Sequence, residues 1–228
     1  EATPAKKRAA AKLYDGFKKL SAVEREAIER DDFGDRPPTY EFMKFFKDTA
    51  LAKGDACVEW VKETFLLEGK DKVIVFAHHK AVLDALETQL ELELKKKALD
   101  GREMIRVDGS TTGKLRDNRI ETFKRSPDCQ VALLSIQACG TGLNLTAATN
   151  VVFAEMHWSQ SLHAQAEDRV HRVGQQLACN VYYAMLPKSL DTLMFRALES
   201  KARSAHDVVD GPETPRQTTS RAPATLSS

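Results

Sequence analysis

The sequence predicts an α/β fold, a three-layer domain with a mostly parallel sheet, and three observations support this fold class. Short apolar runs alternate with helical patterns from residue 72 onward. The run 73–77 contains no polar residue, which is typical of parallel strands that are covered on both faces. Polar and glycine-rich segments follow three of the runs, at the strand ends where parallel sheets collect ligands. Since parallel strands are joined by right-handed crossovers, helices should cover both faces of the sheet.

Helical patterns precede this alternation. Residues 3–31 are rich in Ala, Lys, Arg and Glu, with apolar residues at helical spacing, and predict a helix that belongs to an upstream region. A cluster of helix-breaking residues at 31–38 ends it. Two further helices are expected at 39–48 and 52–67.

The α/β part follows in a regular order. After the strand 73–77 comes a helical pattern at 80–98 in which leucines recur on one face. The remaining predicted elements are strand 103–107, helix 113–125, strand 130–135, strand 150–154, helix 159–172, strand 179–185 and helix 189–203.

The tail of the chain has a different composition. From residue 211 onward Pro, Thr and Ser share the chain with a single large apolar residue, which predicts disorder. We therefore expect a helical extension at 1–36, one α/β domain at 37–204 and a disordered tail at 205–228.

Composition excludes several functional classes. The chain has 228 residues, 42% of them hydrophobic, and a formal net charge of +1, so it has no global basic field and any contact with nucleic acid must be local. No apolar run in this sequence reaches the roughly 20 residues that cross a bilayer, and residues 1–8 lack the apolar stretch of a secretory signal. Because the chain does not begin with methionine, we expect a fragment. The four cysteines are Cys57, Cys129, Cys139 and Cys179. None forms a Cys-x-x-Cys pair, which favours reduced thiols in an intracellular protein without a metal site.

The segment 165–175 places two arginines beside a glutamine on one predicted helix. At about 100° per residue, Gln165, Arg169 and Arg172 project within roughly 40° of each other, beside an apolar stripe that can dock on a core. An arginine pair held in this way can neutralise charge on a transferring phosphoryl group. The alternative interpretation is a helix with a solvated charged face.

The loop 135–144 is a candidate phosphate-binding turn. Gly140 and Gly142 permit a tight turn whose amides could face phosphate. Polar side chains that add donors are Ser135, Gln137, Thr141 and Asn144. Plain turn geometry is the alternative, because the third glycine of a dinucleotide-binding fingerprint is missing.

The turn 108–111 is a second candidate, since a Ser or Thr before a helix is well placed to hold a phosphate of nucleic acid. A turn followed by a helix cap is the simpler alternative. The segment 109–114 resembles a nucleotide P-loop, but it is one residue short and Leu115 occupies the place of the magnesium ligand. The chain has no proper P-loop and no Asp-Glu pair after an apolar strand, so it lacks the residues that bind the phosphates and the magnesium ion of a nucleotide.

Histidines and cysteines offer weaker candidates. Adjacent residues leaving a strand diverge, so His78 and His79 are expected to have structural or DNA-facing roles and not to bind metal. We expect His171 to pack or to form hydrogen bonds. Cys139 is expected to be a small turn residue, because nothing around it supports a nucleophile.

Several segments together resemble one family. Residues 165–175 resemble motif VI of the Swi/Snf-type DNA-dependent ATPases, and residues 134–146 resemble their motif V. Both motifs belong to the second RecA-like lobe of these enzymes, the carboxy-terminal helicase lobe. Residues 75–80, 106–110 and 152–155 are similar to the annealing-helicase branch, whose members rewind DNA and remodel stalled replication forks. The resemblance runs from Phe45 to Arg203 in the correct motif order.

The resemblance implies roles for individual residues. Arg169 and Arg172 would be arginine fingers that reach the γ-phosphate of ATP. Residues implied to line the same cleft are Gly140, Gly142, Asn144 and Gln165. Residues implied to meet the DNA backbone are His78, Asp108, Gly109, Ser110, Thr111, Ser135 and Gln137. At one position the chain departs from the family. The family usually has Trp, then Asn or Asp, then Pro, whereas this chain has Trp158, Ser159 and Gln160. This leaves the start of the helix predicted at 159–172 less constrained.

The resemblance implies that this chain is one of the two lobes of an ATP-driven DNA translocase. ATP and magnesium would be held mainly by the first RecA-like lobe of the same polypeptide, so this lobe alone should not hydrolyse ATP. Double-stranded or branched DNA would be the partner, and the location would be nuclear. Alternatives are a non-catalytic DNA-binding or protein-binding module derived from such a lobe, and the lobe of a chromatin remodeller. A third alternative, an unrelated α/β phosphotransferase, would need its own nucleotide-binding residues, and we find none in the sequence.

Overall fold

A five-stranded, fully parallel sheet forms the centre of the protein in this computed structural model, with strand order β2-β3-β1-β4-β5. The structure describes residues 13, 15–30, 38–67, 71–172 and 177–210, and describes only the backbone at 139–141 and 202–210. The strands are β1 Val73–Ala77, β2 Glu103–Val107, β3 Cys129–Ser135, β4 Asn150–Phe153 and β5 Asn180–Tyr183. The three-layer α/β prediction is therefore confirmed, and the expected mostly parallel sheet is parallel at every strand pair.

Helices cover the sheet on both faces. Their bounds are α1 Ala22–Arg30, α2 Tyr40–Val61, α3 Lys80–Leu94, α4 Gly113–Arg125, α5 Gln160–Val170 and α6 Leu190–Asp210. Shorter helical turns lie at Lys62–Leu67, Lys97–Leu99 and Ile136–Thr141. Alternate residues of each central strand face opposite layers: Val73 and Val75 pack with α2 and α3, whereas Ile74 and Phe76 pack with α4 and α5. β1 and β3 are buried along their whole length, and their sequences are apolar except for the buried polar residues Gln130 and Ser135 of β3.

The two predicted helices 39–48 and 52–67 are one element. Helix α2 runs unbroken through residues 49–51 and ends in a π-helical turn. Its start is capped by Thr39, whose side chain accepts a hydrogen bond from the Phe42 amide. Thr49 lies at the predicted break, where its hydroxyl donates to the carbonyl of Phe45 one turn earlier. The prediction of two helices was wrong, since residues 49–51 are Thr, Ala and Leu and continue the helix.

The amino-terminal extension packs on the lobe. Ile28 of α1 is fully buried in a cluster with residues of α2 and α6, and Lys201 of α6 donates to the Ile28 carbonyl. The helix predicted at 3–31 is interrupted at residues 20–21, and residues 1–12 lie outside the described part. Helix α6 continues to Asp210, past residue 204 where we expected the domain to end. Residues 211–228, where we predicted disorder, also lie outside the described part.

Two features are absent from the described residues. No helix in this part of the chain is both long enough and apolar enough to cross a membrane. No group of three or more His, Cys, Asp or Glu side chains there is arranged to hold a metal ion.

Candidate functional site

The candidate site lies at the carboxyl edge of the sheet, where the strands end at similar heights. Ala77 of β1 pairs with Ser135 of β3, and Phe76 pairs with Phe153 of β4. The turn Ile136–Thr141 leaves β3 at this edge, and α5 begins at the same edge after β4. Parallel pairing thus brings together segments that are far apart in the sequence.

The glycine loop (residues 136–145, which contain Gly140 and Gly142) is in direct contact with the arginine helix (α5, which contains Arg169). Leu143 and Leu145 of the loop are buried in the core beneath α5. The Leu145 amide donates a hydrogen bond to the carbonyl of Arg169 at 3.0 Å. The two segments that sequence reasoning treated as separate candidates therefore form one surface.

Helix α5 docks by its predicted apolar stripe. Ala166 and Val170 are fully buried, and Leu162 is partly buried beside them. On the neighbouring face, the side chains of Gln165 and Arg169 are partly exposed. This confirms the predicted arrangement of the stripe up to Val170, while Val173 lies outside the described residues.

Arg172 is not on the helix, contrary to the predicted helix 159–172. The helix ends at Val170, and His171 leaves the helical region with φ −86° and ψ 77°. The His171 amide still donates to the carbonyl of Glu167 at 2.8 Å, which closes the last turn. The angular argument therefore holds for Gln165 and Arg169 only. Arg172 is exposed just beyond the helix end, on a backbone of different direction.

The glycine loop has the geometry that its sequence suggested. Gly142 ends the turn Ile136–Thr141 with φ 73°, a left-handed conformation that glycine adopts without strain. Gly140 lies within the same turn. Asn144 is exposed, and its side-chain oxygen accepts from the amide and the hydroxyl of Thr146. The Asn144 side chain therefore braces its own turn in this structure.

The turn 108–111 is built around a buried carboxylate. One oxygen of Asp108 accepts from the amide and hydroxyl of Ser110, and the other accepts from the Arg106 guanidinium at 2.7 Å. The Thr111 hydroxyl accepts from the Asp108 amide. Asp108 and Thr111 are buried, whereas Gly109 and Ser110 are exposed. Asp108 and Thr111 thus hold the turn, and only its tip is open to a ligand.

Arg106 fixes this turn to the rest of the lobe. Its guanidinium forms ion pairs with Asp84 and Glu87 of α3 as well as with Asp108, at 2.6 to 2.7 Å. Charge-assisted contacts of this kind are among the stronger hydrogen bonds in proteins. The carboxylates of α3 also hold the pKa of Arg106 above its ordinary value, against the effect of burial.

We predict that Asp108 makes the stability of the lobe sensitive to acid. The Ser110 hydrogen bonds and Arg106 lower the pKa of Asp108 to about 2, below its value of about 3.9 in unfolded chains. The stabilisation is complete above the unfolded pKa and is lost as pH falls through the folded pKa. Urea denaturation between pH 5 and pH 2 should show a shallower loss of unfolding free energy for Asp108→Asn than for wild type. Equal slopes would contradict this role.

The end of β1 carries a cluster of aromatic and histidine rings. The His78 ring stacks on Phe46 at 5.7 Å and lies 4.7 Å from His157. Burial lowers the pKa of His78, and burial together with its histidine neighbours lowers the pKa of His157 to about 3. Both rings are therefore neutral at pH 7. His78 is partly buried by this packing, so any contact with DNA would be that of a neutral ring.

Glu155 holds the backbone and side chain of neighbouring residues at the same edge. The sequence motifs did not identify Glu155 as a site residue. Its carboxylate is 1% exposed and accepts from the backbone amides of His78 and His79 at 2.8 and 2.9 Å. It also contacts the His79 imidazole at 2.5 Å. Glu155 thus provides the amino end of α3 with an acidic cap from another strand. The signal in the sequence was a carboxylate directly after a buried strand.

The two remaining candidates differ in accessibility. Ser135 is buried at the end of β3, whereas Gln137 is exposed on the turn that follows. Gln137 and the tip of the turn 108–111 therefore present the accessible polar groups of this part of the edge.

Comparisons with known proteins agree with this architecture. The family described as helicase conserved C-terminal domain matches residues 56–174, more than half of the chain. The DNA annealing helicase and endonuclease ZRANB3 of Homo sapiens is 40% identical over 168 residues, which cover 74% of this chain and 15% of that protein. The SWI/SNF-related matrix-associated actin-dependent regulator of chromatin subfamily A-like protein 1 of Drosophila melanogaster is 35% identical over 161 residues, covering 70% of this chain and 20% of that protein.

A solved structure is similar as well. The crystal structure of the C-terminal part of the Fun30 ATPase domain superposes with a TM-score of 0.57 at 29% identity, covering 72% of this chain and 48% of that one. The chain spans less than a quarter of the length of either curated relative. The family match, the motif order and the parallel sheet agree, and the chain therefore belongs to the helicase conserved C-terminal domain family, in its SWI/SNF-related branch.

Proposed function

We propose that this chain is the carboxy-terminal RecA-like lobe of an ATP-driven translocase that acts on double-stranded or forked DNA in genome maintenance in the nucleus. The observation that carries the proposal is the contact between the glycine loop and the arginine helix, where the Leu145 amide meets the Arg169 carbonyl. This contact supports the proposal because it places the two segments that we propose to face phosphate in one surface, at the edge where parallel sheets bind ligands.

In this proposal the arginines complete a site that another lobe begins. Arg169 is held on a docked helix, and Arg172 is exposed immediately after it. An arginine that enters a phosphoryl-transfer site from outside neutralises charge on the transferring group. Gln165 and the backbone at Gly140 and Gly142 would line the same cleft. Asn144 would contribute through its loop, since its side chain already braces the turn.

ATP and magnesium would be gripped mainly by the first lobe. The described residues contain no cluster of carboxylates suited to a metal ion, and the sequence has no P-loop. What this chain offers suits the other side of a nucleotide, namely guanidinium groups and a tight glycine turn. ATP would thus be a shared substrate, hydrolysed when the two lobes close.

DNA would contact the β2 and β3 side of the edge. Exposed groups there include Gly109, Ser110 and Gln137, and α4 begins nearby after Thr112, whose side chain makes no capping hydrogen bond. Free amides at a helix start suit a backbone phosphate. Contacts of this kind position a protein without reading sequence, as a translocating motor requires. Asp108, Thr111 and Ser135 would act by shaping this surface and His78 by packing beside it.

The proposal is tested by ATP hydrolysis of the parent polypeptide, with and without forked DNA, beside the 228-residue chain alone. We expect DNA-stimulated turnover in the parent and none in the isolated chain. An inert parent that still binds DNA would favour a non-catalytic binding module. Stimulation by nucleosomes and not by forked or duplex DNA would favour a chromatin remodeller. Turnover by the isolated chain would contradict the assignment of the nucleotide grip to another lobe.

A further inference from the structure

An aromatic ladder crosses the sheet beneath α5. Phe76, Phe153 and Tyr183 occupy paired positions on β1, β4 and β5. The rings of Phe76 and Phe153 are 5.3 Å apart, and those of Phe153 and Tyr183 are 5.1 Å apart, with interplanar angles of 24° and 13°. Phe76 and Phe153 are fully buried and Tyr183 is partly buried, and rings stacked in this way have little freedom to move. The Tyr183 hydroxyl is therefore a polar group at a fixed position.

Helix α5 rests on this ladder through two side chains one turn apart. The imidazole of His163 lies 4.4 Å from the Phe153 ring. Glu167, four residues later, accepts a hydrogen bond from the Tyr183 hydroxyl at 3.0 Å. Residues at this spacing share a helix face, so the helix cannot rotate without losing both contacts. The hydrogen bond sets the position of the last turn relative to β5.

Both partners of this hydrogen bond are in a low-polarity environment. Burial raises the pKa of Glu167, Tyr183 opposes that rise by donating to the carboxylate, and Asp168 adds to it. Burial and the charge of Glu167 raise the pKa of Tyr183, so its hydroxyl keeps the proton and remains the donor. Removing either side chain leaves the other polar group partly buried without this partner, which is costly.

The backbone of Glu167 also closes the helix. Its carbonyl accepts the His171 amide at 2.8 Å, where the chain leaves the helix. One residue thus contacts β5 with its side chain and fixes the helix end with its carbonyl. Arg172 follows His171 directly, so its starting point is determined by this arrangement.

We propose that Glu167 and Tyr183 are positioning residues for the Arg172 guanidinium, which they hold at the height and angle needed to reach a phosphate across the cleft. This inference rests on the proposed function, because it assigns Arg172 a phosphate to reach. Glu167 and Tyr183 act through the helix end and touch no substrate.

The test measures ATP hydrolysis by the parent polypeptide carrying Glu167→Ala, Glu167→Gln or Tyr183→Phe, with saturating forked DNA. We expect kcat for Glu167→Ala and Tyr183→Phe to fall by about 10- to 100-fold, the scale of a displacement of about 1 Å in a catalytic group. KM for ATP should change little, since the nucleotide is gripped elsewhere. Glu167→Gln keeps an acceptor oxygen and should retain most of the wild-type kcat. Tyr183→Phe keeps the stacked ring, so it tests the hydrogen bond even if Glu167→Ala folds poorly.

The same substitutions in an Arg172→Ala background separate positioning from general stability. If Glu167 acts through Arg172, Glu167→Ala should cause no further loss there, because coupled residues are not additive. An equal loss in both backgrounds would overturn the inference, as would wild-type kcat in a folded Tyr183→Phe variant. Failure of the proposed function would appear differently, as wild-type turnover in Arg172→Ala itself.

Discussion

Replacement of Arg172 by alanine in the parent polypeptide is expected to lower kcat for DNA-stimulated ATP hydrolysis by about 10³-fold or more, the scale known for arginine fingers. The physical reason is placement. Arg172 is exposed directly after the end of α5, beside the glycine loop that Leu145 anchors to Arg169. Because its side chain is exposed, the Arg172 guanidinium can meet charge that develops on a phosphate across the cleft. Its planar fork of donors matches phosphate oxygens in pairs.

Two comparisons make this result interpretable. Arg172→Lys keeps the charge but loses the fork, so most of the loss should remain. Arg125→Ala removes an arginine whose side chain is 85% exposed at the end of α4 that precedes β3, the opposite edge of the sheet. It should hydrolyse ATP at the wild-type rate. Binding of forked DNA, measured separately, should be retained in all three variants.

Arg169 is expected to behave differently from Arg172. Its side chain is only partly exposed on the docked helix, and its carbonyl anchors Leu145. Arg169→Ala preserves that backbone hydrogen bond and should lower kcat on a similar scale without unfolding the loop. If both single variants hydrolyse ATP within tenfold of wild type, the arginine-finger assignment is wrong.

The fold was predictable because buried parallel strands appear in the sequence as short apolar runs. Apolar runs such as 73–77 admit few interpretations, and all five predicted strands are present within two residues of their expected bounds. Helix ends were less predictable, because they depend on single backbone angles. His171 leaves the helical region although its side chain is compatible with a helix, so the position of Arg172 could not be derived from spacing.

The candidate site was predictable in its segments but not in its internal contacts. Motif order placed the glycine loop and the arginine helix in one lobe, and parallel pairing explains why they meet. The partners of the buried charges come from distant positions, as Glu155 does for His79 and Tyr183 for Glu167. The periodicity of apolar residues in a sequence does not predict hydrogen-bonded pairs between distant positions. The same limitation concealed the burial of Asp108, which the resemblance implied to meet the DNA backbone.

Lys53 and Asp191 form the buried ion pair with the largest expected effect on stability. The Lys53 ammonium donates to the Asp191 carboxylate at 2.9 Å and to the carbonyl of Ala184 at 2.6 Å. The two side chains are 1% and 4% exposed. Asp191 also accepts from the Leu186 amide. The pair therefore connects α2 with the first turn of α6, since Asp191 lies 138 residues away from Lys53 in the sequence.

Lys53→Met is expected to lower the free energy of unfolding by about 3–5 kcal/mol, because it leaves the Asp191 carboxylate buried without its counter-charge. Methionine retains most of the aliphatic stem, so little of this loss comes from a cavity. The measurement is chemical denaturation of the chain at pH 7, followed by circular dichroism. Lys44→Met is the matched control on the same helix. Lys44 and Asp48 are 4.0 Å apart with side chains 51% and 41% exposed, and such a surface pair is worth less than about 1 kcal/mol. Equal losses for the two variants would show that the buried pair contributes no more than a surface one. A large loss for Lys53 alone would show that the buried pair between α2 and the first turn of α6 stabilises the lobe.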